Sequence, residues 1–174
     1  MTAKFLVLGA AALAVATASP ALARQARAPV CHTLTAAQAD AQFAAFNAAW
    51  ATRNPDTVTT LFDDDAVLLA TVAAVPRTTP ATIRDYFVKF LQGSPVGRIE
   101  TSTVKSGCDW VLRTGTWTVD MTDAATGAKT LVKARYTFLY QFEDGAWKIE
   151  HLHSSVLPAN PDQYLRNTAR NASP

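Results

Sequence analysis

Residues 134–158, ARYTFLYQFEDGAWKIEHLHSSVLP, are the stretch of this chain from which its fold is most readily inferred. They predict two β-strands joined at Asp144-Gly145, a dipeptide typical of two-residue hairpin turns. Because strand side chains alternate with a period of two, His151 and His153 are predicted on the face that carries Ile149. Two histidines on the inner face of a small sheet would line a polar cavity, where a ligand could bind or a reaction occur.

The start of the chain has the features of a secretory signal peptide. Lys4 gives a positive start, residues 5–18 are apolar, and Ala21-Leu22-Ala23 is a small-x-small cleavage site. The apolar run is too short for a good membrane anchor. We therefore expect residues 1–23 to be a signal peptide, and the product to be exported to the periplasm or the extracellular space, without membrane association after cleavage.

The charge distribution argues against a nucleic-acid partner. The formal net charge is +2, and the basic residues are scattered rather than gathered in a run. A nucleic-acid-binding surface would need a clustered positive patch.

Two cysteines, Cys31 and Cys108, would enter a compartment that permits disulfides. One intramolecular bond between them would join the N-terminal arm to the middle of the sheet, and two free thiols are the alternative. Their spacing matches neither a C-x-x-C redox centre nor a zinc site.

The first half of the chain predicts three helices. Thr35 to Gln38 matches a capping box, and Asn54-Pro55 and Thr79-Pro80 each combine a helix cap with proline in the first turn. Residues 63–65, three consecutive aspartates, are predicted to end the second helix, and a short strand is predicted over residues 66–71. The first helix has an apolar stripe made of Ala39, Phe43, Phe46 and Trp50.

The second half predicts long strands separated by turn residues. Helices followed by antiparallel strands indicate an α+β fold, with three N-terminal helices packed on a curved, mainly antiparallel sheet. We expect an arm at residues 24–34, one domain at 35–158 and a polar tail at 159–174. The predicted strands cover residues 97–106, 109–121, 130–142 and 146–156.

The element order resembles the cone-shaped proteins of the nuclear-transport-factor-2-like (NTF2-like) superfamily. Within that superfamily, residues 144–154, DGAWKIEHLHS, resemble the D-G-x-W-x-I-x-H-x-H end of the calcium/calmodulin-dependent protein kinase II association domain. Residues 54–56 are similar to its N-G-D turn. Residues 134–138 and the His-Ser-Ser-x-x-Pro ending resemble bacterial secreted SgcJ/EcaC-type (DUF4440-like) relatives. One departure is Ser154, which stands where the kinase-linked domain has an arginine after the second histidine.

The resemblance, which covers roughly residues 38–158, implies a cone fold, self-association through the sheet, and a pocket between the first helix and the sheet. It does not imply kinase activity, because the kinase domain is a separate part of those proteins. Aromatic and basic side chains are the predicted pocket lining, although alternation alone leaves open which sheet face is concave. The predicted ligand-binding residues are Trp50, Arg113, Trp117, Arg135, Tyr136, Tyr140, His151 and His153.

Three functions are compatible with these residues. The first is an exported homodimer or higher oligomer that binds a small organic ligand, with an organic acid as one option. The second is an isomerase, cyclase or dehydratase that uses His151 or His153 as a base with Asp63 as partner. The third is an oligomerisation scaffold without a ligand. His151 and His153 have a spacing that suits a metal, but His32 on the arm is the one further histidine, so we predict no metal site and no cofactor.

Overall fold

The computed structural model describes residues 30–160 of the chain, so the predicted signal peptide and nearly all of the predicted tail lie outside it. No helix within 30–160 is long and apolar enough to span a bilayer. The elements in chain order are α1 (Ala36–Ala51), α2 (Pro55–Thr59), β1 (Phe62–Leu69), α3 (Pro80–Phe90), β2 (Val96–Gly107), β3 (Trp110–Thr122), β4 (Lys129–Glu143) and β5 (Ala146–Val156).

The three helices begin where the capping motifs predict. Thr35 and Gln38 form the reciprocal bonds of a capping box at α1, and the Asn54 side chain accepts from the Asp56 N–H at α2. Thr79 caps α3, with Pro80 in its first turn. These motifs satisfy backbone N–H groups that have no partner inside the helix, so the signal is local and the prediction is confirmed.

The strands form one sheet in the order β1-β5-β4-β3-β2. β1 runs parallel to β5, and the other neighbouring pairs are antiparallel. Asp144 and Gly145 have positive φ values of 50° and 83°, as the predicted hairpin turn requires. The predicted α+β fold with a mainly antiparallel sheet is confirmed.

β1 begins earlier than predicted. The prediction that residues 63–65 end the second helix is wrong, because α2 stops at Thr59 and the three aspartates lie inside β1. Phe62 is buried and pairs with Ile149 of β5. Burial of this aromatic ring and its strand pairing outweigh the low strand propensity of aspartate.

A β-bulge interrupts β5 at Glu150. Ile149 pairs with Tyr140 of β4 and His151 pairs with Leu139, which leaves Glu150 without an opposite residue. One extra residue shifts the alternation of every side chain that follows it.

The bulge reverses the predicted orientation of the two histidines. Beyond it Leu152 and Ser154 are buried on the inner face, whereas His151 and His153 are half-buried on the outer face. The prediction that this pair shares the face of Ile149 and points into the interior is therefore wrong.

The inner face of the sheet packs under the helices and forms the core. On β4 this face carries Ala134, Tyr136, Phe138 and Tyr140, all buried. Phe46 of α1 lies against Phe138 with ring centroids 5.2 Å apart. The concave face, which alternation left open, is thus the tyrosine face of β4.

A disulfide between Cys31 and Cys108 fixes the arm to the turn between β2 and β3, which confirms the predicted pairing. His32 strengthens this attachment, because its Nδ1 lies 2.8 Å from Asp109 Oδ1 and its ring stacks on Phe142. The backbone N–H of His32 also donates to Asp109 Oδ1, at 2.9 Å. The two hydrogen bonds lower the pKa of Asp109, and the backbone one contributes most.

Candidate functional site

An apolar cavity of about 60 Å³ lies between the helices and the inner face of the sheet. Trp50 of α1 and three aromatic residues of α3, Tyr86, Phe87 and Phe90, contribute to its lining. Their spacing on α3 follows from helical periodicity, which places residues three and four apart on one face. The helices therefore contribute aromatic surface to the cavity.

The sheet and the segment after β1 contribute the rest of the lining. Trp117 and Val119 come from β3, and Leu152 and Ser154 come from β5. Ser154 reaches the cavity because the bulge at Glu150 turned it inward. The further lining residues are Leu68, Ala70, Thr71, Val72, Met121 and Val132.

One polar cluster interrupts this apolar surface. Ser154 Oγ accepts hydrogen bonds from Trp117 Nε1 at 3.1 Å and from the Thr71 hydroxyl. In contrast, Trp50 Nε1 is buried and has no acceptor within residues 30–160. The cavity thus combines an apolar body with a few hydrogen-bonding groups, as small-molecule sites do.

Titratable groups other than one tyrosine are absent from the described cavity lining. None of those residues is Asp, Glu, His, Lys or Arg. Burial raises the pKa of Tyr86 and outweighs the charge of Arg77, which lowers it, so the Tyr86 hydroxyl stays protonated at neutral pH. The lining therefore contains no general base for neutral pH.

A wider groove of about 730 Å³ adjoins the cavity. The two share Val72, Tyr86, Phe90 and Met121, which therefore mark the mouth. The cavity is smaller than the ~150 Å³ apolar cavity that binds benzene in another protein. A ring would enter only if a mouth side chain moved, and Met121 is unbranched and flexible.

The structure distributes the predicted ligand-binding residues over several places. Trp50 and Trp117 line the cavity. Tyr136 and Tyr140 are buried in the core instead, where the Tyr136 hydroxyl donates to Thr101 O at 3.0 Å. The Tyr140 hydroxyl is buried without a partner within residues 30–160, and burial raises its pKa.

The two predicted arginines are not at the cavity either. Arg113 is buried on β3, where its guanidinium bonds to Asp40, to Ser102 Oγ and to Ala39 O. It therefore ties the start of α1 to the sheet. Arg135 lies exposed on the outer face of β4.

The predicted catalytic candidates lie outside the cavity lining as well. His151 and His153 are on the outer face, and Asp63 lies in β1 beside the bulge of β5. Asp63, Asp65 and Glu150 have carboxylate oxygens within 4.8 Å of one another, a spacing that one cation could bridge. Partial burial, and then the charges of Asp65 and Asp63, raise the pKa of Glu150.

Sequence reasoning missed several cavity residues. The apolar stripe of α3 was visible in the sequence through Phe87 and Phe90, and it could have indicated a second aromatic wall. Ser154 could not be found this way, because its orientation depends on the bulge. Thr71 lies in the segment between β1 and α3, where no periodicity applies.

Comparison with known proteins is consistent with this architecture. The family model described as a SnoaL-like domain matches residues 43–150. A candidate calcium/calmodulin-dependent protein kinase II association domain from Xanthomonas campestris is 40% identical, with a TM-score of 0.70, and the match covers 72% of this chain and 90% of that one. No curated protein matches the chain significantly.

More distant structures share the fold. A candidate dehydratase of the NTF2-like family from Streptomyces avermitilis is 13% identical, with a TM-score of 0.64, over 71% of this chain and 97% of that one. An NTF2-like superfamily protein from Salmonella enterica serovar Typhimurium is 9% identical, with a TM-score of 0.63, over 72% and 93%. The family model and the Xanthomonas relative together place this chain in the SnoaL-like domain family, within the NTF2-like superfamily.

Proposed function

We propose that this protein is an exported, homo-oligomeric module that binds a small organic ligand in the cavity between α1, α3 and the sheet, with no kinase activity of its own. The observation that supports this proposal most is the chemistry of the cavity. It is lined by aromatic and aliphatic side chains, has few polar groups and opens into a groove. Such concave apolar sites are the usual places for small-molecule binding.

Binding is favoured over catalysis because the acid-base candidates lie elsewhere. His151, His153 and Asp63 are not in the cavity lining, and Tyr86 keeps its proton at neutral pH. An isomerase or dehydratase using those residues would need them beside the bound molecule. The scaffold alternative differs from our proposal by predicting no ligand at all.

Export and self-association belong to the same proposal. The disulfide between Cys31 and Cys108 fits an oxidising compartment. The outer face of the sheet has half-buried apolar side chains, among them Leu69, Leu112 and Leu139, which a second copy of the chain would cover. The related Xanthomonas protein is itself named as an association domain.

Neutral aromatic probes and two neighbouring substitutions on β4 test the binding site. Val132 lines the cavity, whereas Leu131 points to the outer face and is 52% exposed. Toluene should bind the purified protein, as followed by ligand-detected NMR. Val132→Phe should fill the cavity and weaken binding at least about tenfold, and Leu131→Phe should leave it unchanged.

Native mass spectrometry of the protein from its exported compartment complements this test. A small molecule released on denaturation would support the proposal and would identify the ligand. A protein that carries no ligand and binds neither toluene nor related aromatic probes would contradict it, and would favour the scaffold.

A further inference from the structure

The groove beside the cavity contains an arginine that the predicted site did not include. Arg77 lies between β1 and α3, and its backbone is fixed by two hydrogen bonds with Leu68, at 2.8 and 2.9 Å. Leu68 lines the cavity, while Arg77 lines the groove together with Tyr86. Arg77 therefore lies beside the mouth through which a ligand would enter.

One N–H group of the Arg77 side chain has no hydrogen-bond acceptor within residues 30–160. This group is the Nε–H, which is buried. No carboxylate in that part of the chain forms a salt bridge with Arg77, although Asp85 lines the same groove. A guanidinium has five N–H donors and no acceptor, so a buried N–H without a partner is unfavourable until a ligand supplies an oxygen.

The unpaired polar groups of the cavity are donors as well. Trp50 Nε1 is buried and meets no acceptor in the described part of the chain. Ser154 Oγ accepts from both Trp117 and Thr71, so one hydroxyl hydrogen of the Thr71–Ser154 pair has no acceptor in the cluster. The unpaired groups at this site are thus donors, which favours a ligand with acceptor oxygens over one that carries only hydrogen-bond donors.

We propose that the ligand is an organic carboxylate, with its apolar body in the cavity and its carboxylate bound by the guanidinium of Arg77 at the mouth. This inference rests on the proposed function, because it names the class of ligand for the same site. A carboxylate matches the two-pronged geometry of a guanidinium. Lys89 in the groove adds positive charge and Asp85 opposes it, so Arg77 and Lys89 together favour an anion over a neutral molecule.

Three probes distinguish the contribution of the ligand's charge to binding from that of its apolar body. They are phenylacetate, phenylacetamide and toluene. Isothermal titration calorimetry should show phenylacetate binding at least about tenfold more tightly than phenylacetamide, because hydrogen bonds to charged groups are the stronger ones. Raising the salt concentration should narrow that difference.

Two substitutions by methionine then test whether Arg77 or Lys89 causes the preference for phenylacetate. Arg77→Met should weaken phenylacetate binding by roughly 10- to 100-fold and leave toluene binding unchanged, since it removes the charged donor but keeps an apolar stem. Lys89→Met removes the same charge from an exposed residue of the same groove and should weaken phenylacetate binding by less than about threefold.

The outcomes distinguish this inference from the function on which it rests. If toluene binds but phenylacetate has no advantage over phenylacetamide, or Arg77→Met has no more effect than Lys89→Met, the carboxylate assignment is overturned and the cavity remains a binding site. If none of the three probes binds, the proposed function fails too. Retained toluene binding shows that Arg77→Met is folded, and if that variant does not fold, the comparison of phenylacetate with phenylacetamide in the unaltered protein decides.

Discussion

At Gly115 the backbone of β3 lies too close to β2 for any side chain. A Cβ atom built there would be 2.0 Å from the carbonyl oxygen of Thr101. β2 has an irregularity between Ile99 and Thr101, which alters its register opposite this part of β3. The space that glycine leaves is therefore occupied by backbone, which cannot move aside as a flexible side chain can.

We expect Gly115→Ala to lower the free energy of unfolding by about 2 to 3 kcal/mol, because the methyl group would push the two strands apart. Urea denaturation monitored by circular dichroism would measure it. Thr103→Ala, at an exposed position of β2, is the control and should cost less than about 1 kcal/mol. Equal effects of the two substitutions on the free energy of unfolding would show that the close approach of β2 and β3 does not make a side chain at position 115 unfavourable.

His151 gives the stability a pH dependence. Partial burial on the outer face lowers its pKa below the ordinary value of 6.5, and the charge of neighbouring His153 lowers it further, while a hydrogen bond with the Val67 backbone acts in the opposite direction. The unfolded chain then binds a proton more readily than the folded protein. By linkage, stability is greatest above pH 6.5, falls as the pH drops below it, and levels off below the folded-state pKa.

His151→Gln should reduce this loss of stability. The melting temperature of the variant should fall less than that of the unaltered protein between pH 8 and pH 5, because glutamine does not titrate. The comparison at pH 8, where both side chains are neutral, is the control for lost packing. A variant whose melting temperature falls as steeply on acidification would show that other groups dominate.

At the scale of elements, the Cys31–Cys108 disulfide connects the arm to the β2–β3 turn across a sequence separation of 77 residues. Closing a loop of this length restricts the unfolded chain and stabilises the fold by about 4 to 5 kcal/mol in the chain-entropy model. We therefore expect the double substitution Cys31→Ser and Cys108→Ser to lower the unfolding free energy by about that amount. Chemical denaturation under oxidising conditions measures it.

The hydrogen-bonded pair His32–Asp109 beside the disulfide provides the matching control. Asp109→Asn removes the negative charge opposite His32 but keeps the covalent link. Its effect should be far smaller, because both side chains are partly exposed. If the unfolding free energy of the serine variant matched that of the intact protein, the folded arm would be held by its noncovalent contacts alone.

The elements that local chemistry specifies could be predicted from the sequence. The caps at Thr35, Asn54 and Thr79 and the turn at Asp144-Gly145 each depend on a few neighbouring residues. The cysteine pairing was predictable because two cysteines allow one intramolecular bond.

The bulge at Glu150 could not be predicted, because it depends on how two distant strands align. A single extra residue moved His151 and His153 to the outer face and brought Ser154 into the cavity. The role of Arg113 could not be predicted from the sequence either. Its side chain is used to anchor α1 through Asp40, a contact between residues far apart in sequence.

The whole molecule uses the two faces of its sheet differently. The inner face, together with α1 and α3, encloses the core and the cavity. The outer face carries half-buried apolar residues in the described strands, among them Leu139, which pairs with His151. Ligand binding and self-association would therefore occur on opposite sides, so a substitution can affect one without the other.

We expect Leu139→Asp to convert the proposed dimer into a monomer, because a carboxylate at an interface would be desolvated without a partner. Sedimentation velocity at micromolar concentration would follow the change from dimer to monomer. A stable interface buries more than about 1,000 Å², and an unpaired carboxylate inside it would be unfavourable. Val88→Asp introduces the same charge at a 41% exposed position of α3 and should leave the oligomer intact. Because Leu139 lies across the sheet from the cavity, the monomer should still bind toluene. A dimer that survives Leu139→Asp would place the interface on another surface, and an unaltered protein that sediments as a monomer would exclude self-association altogether.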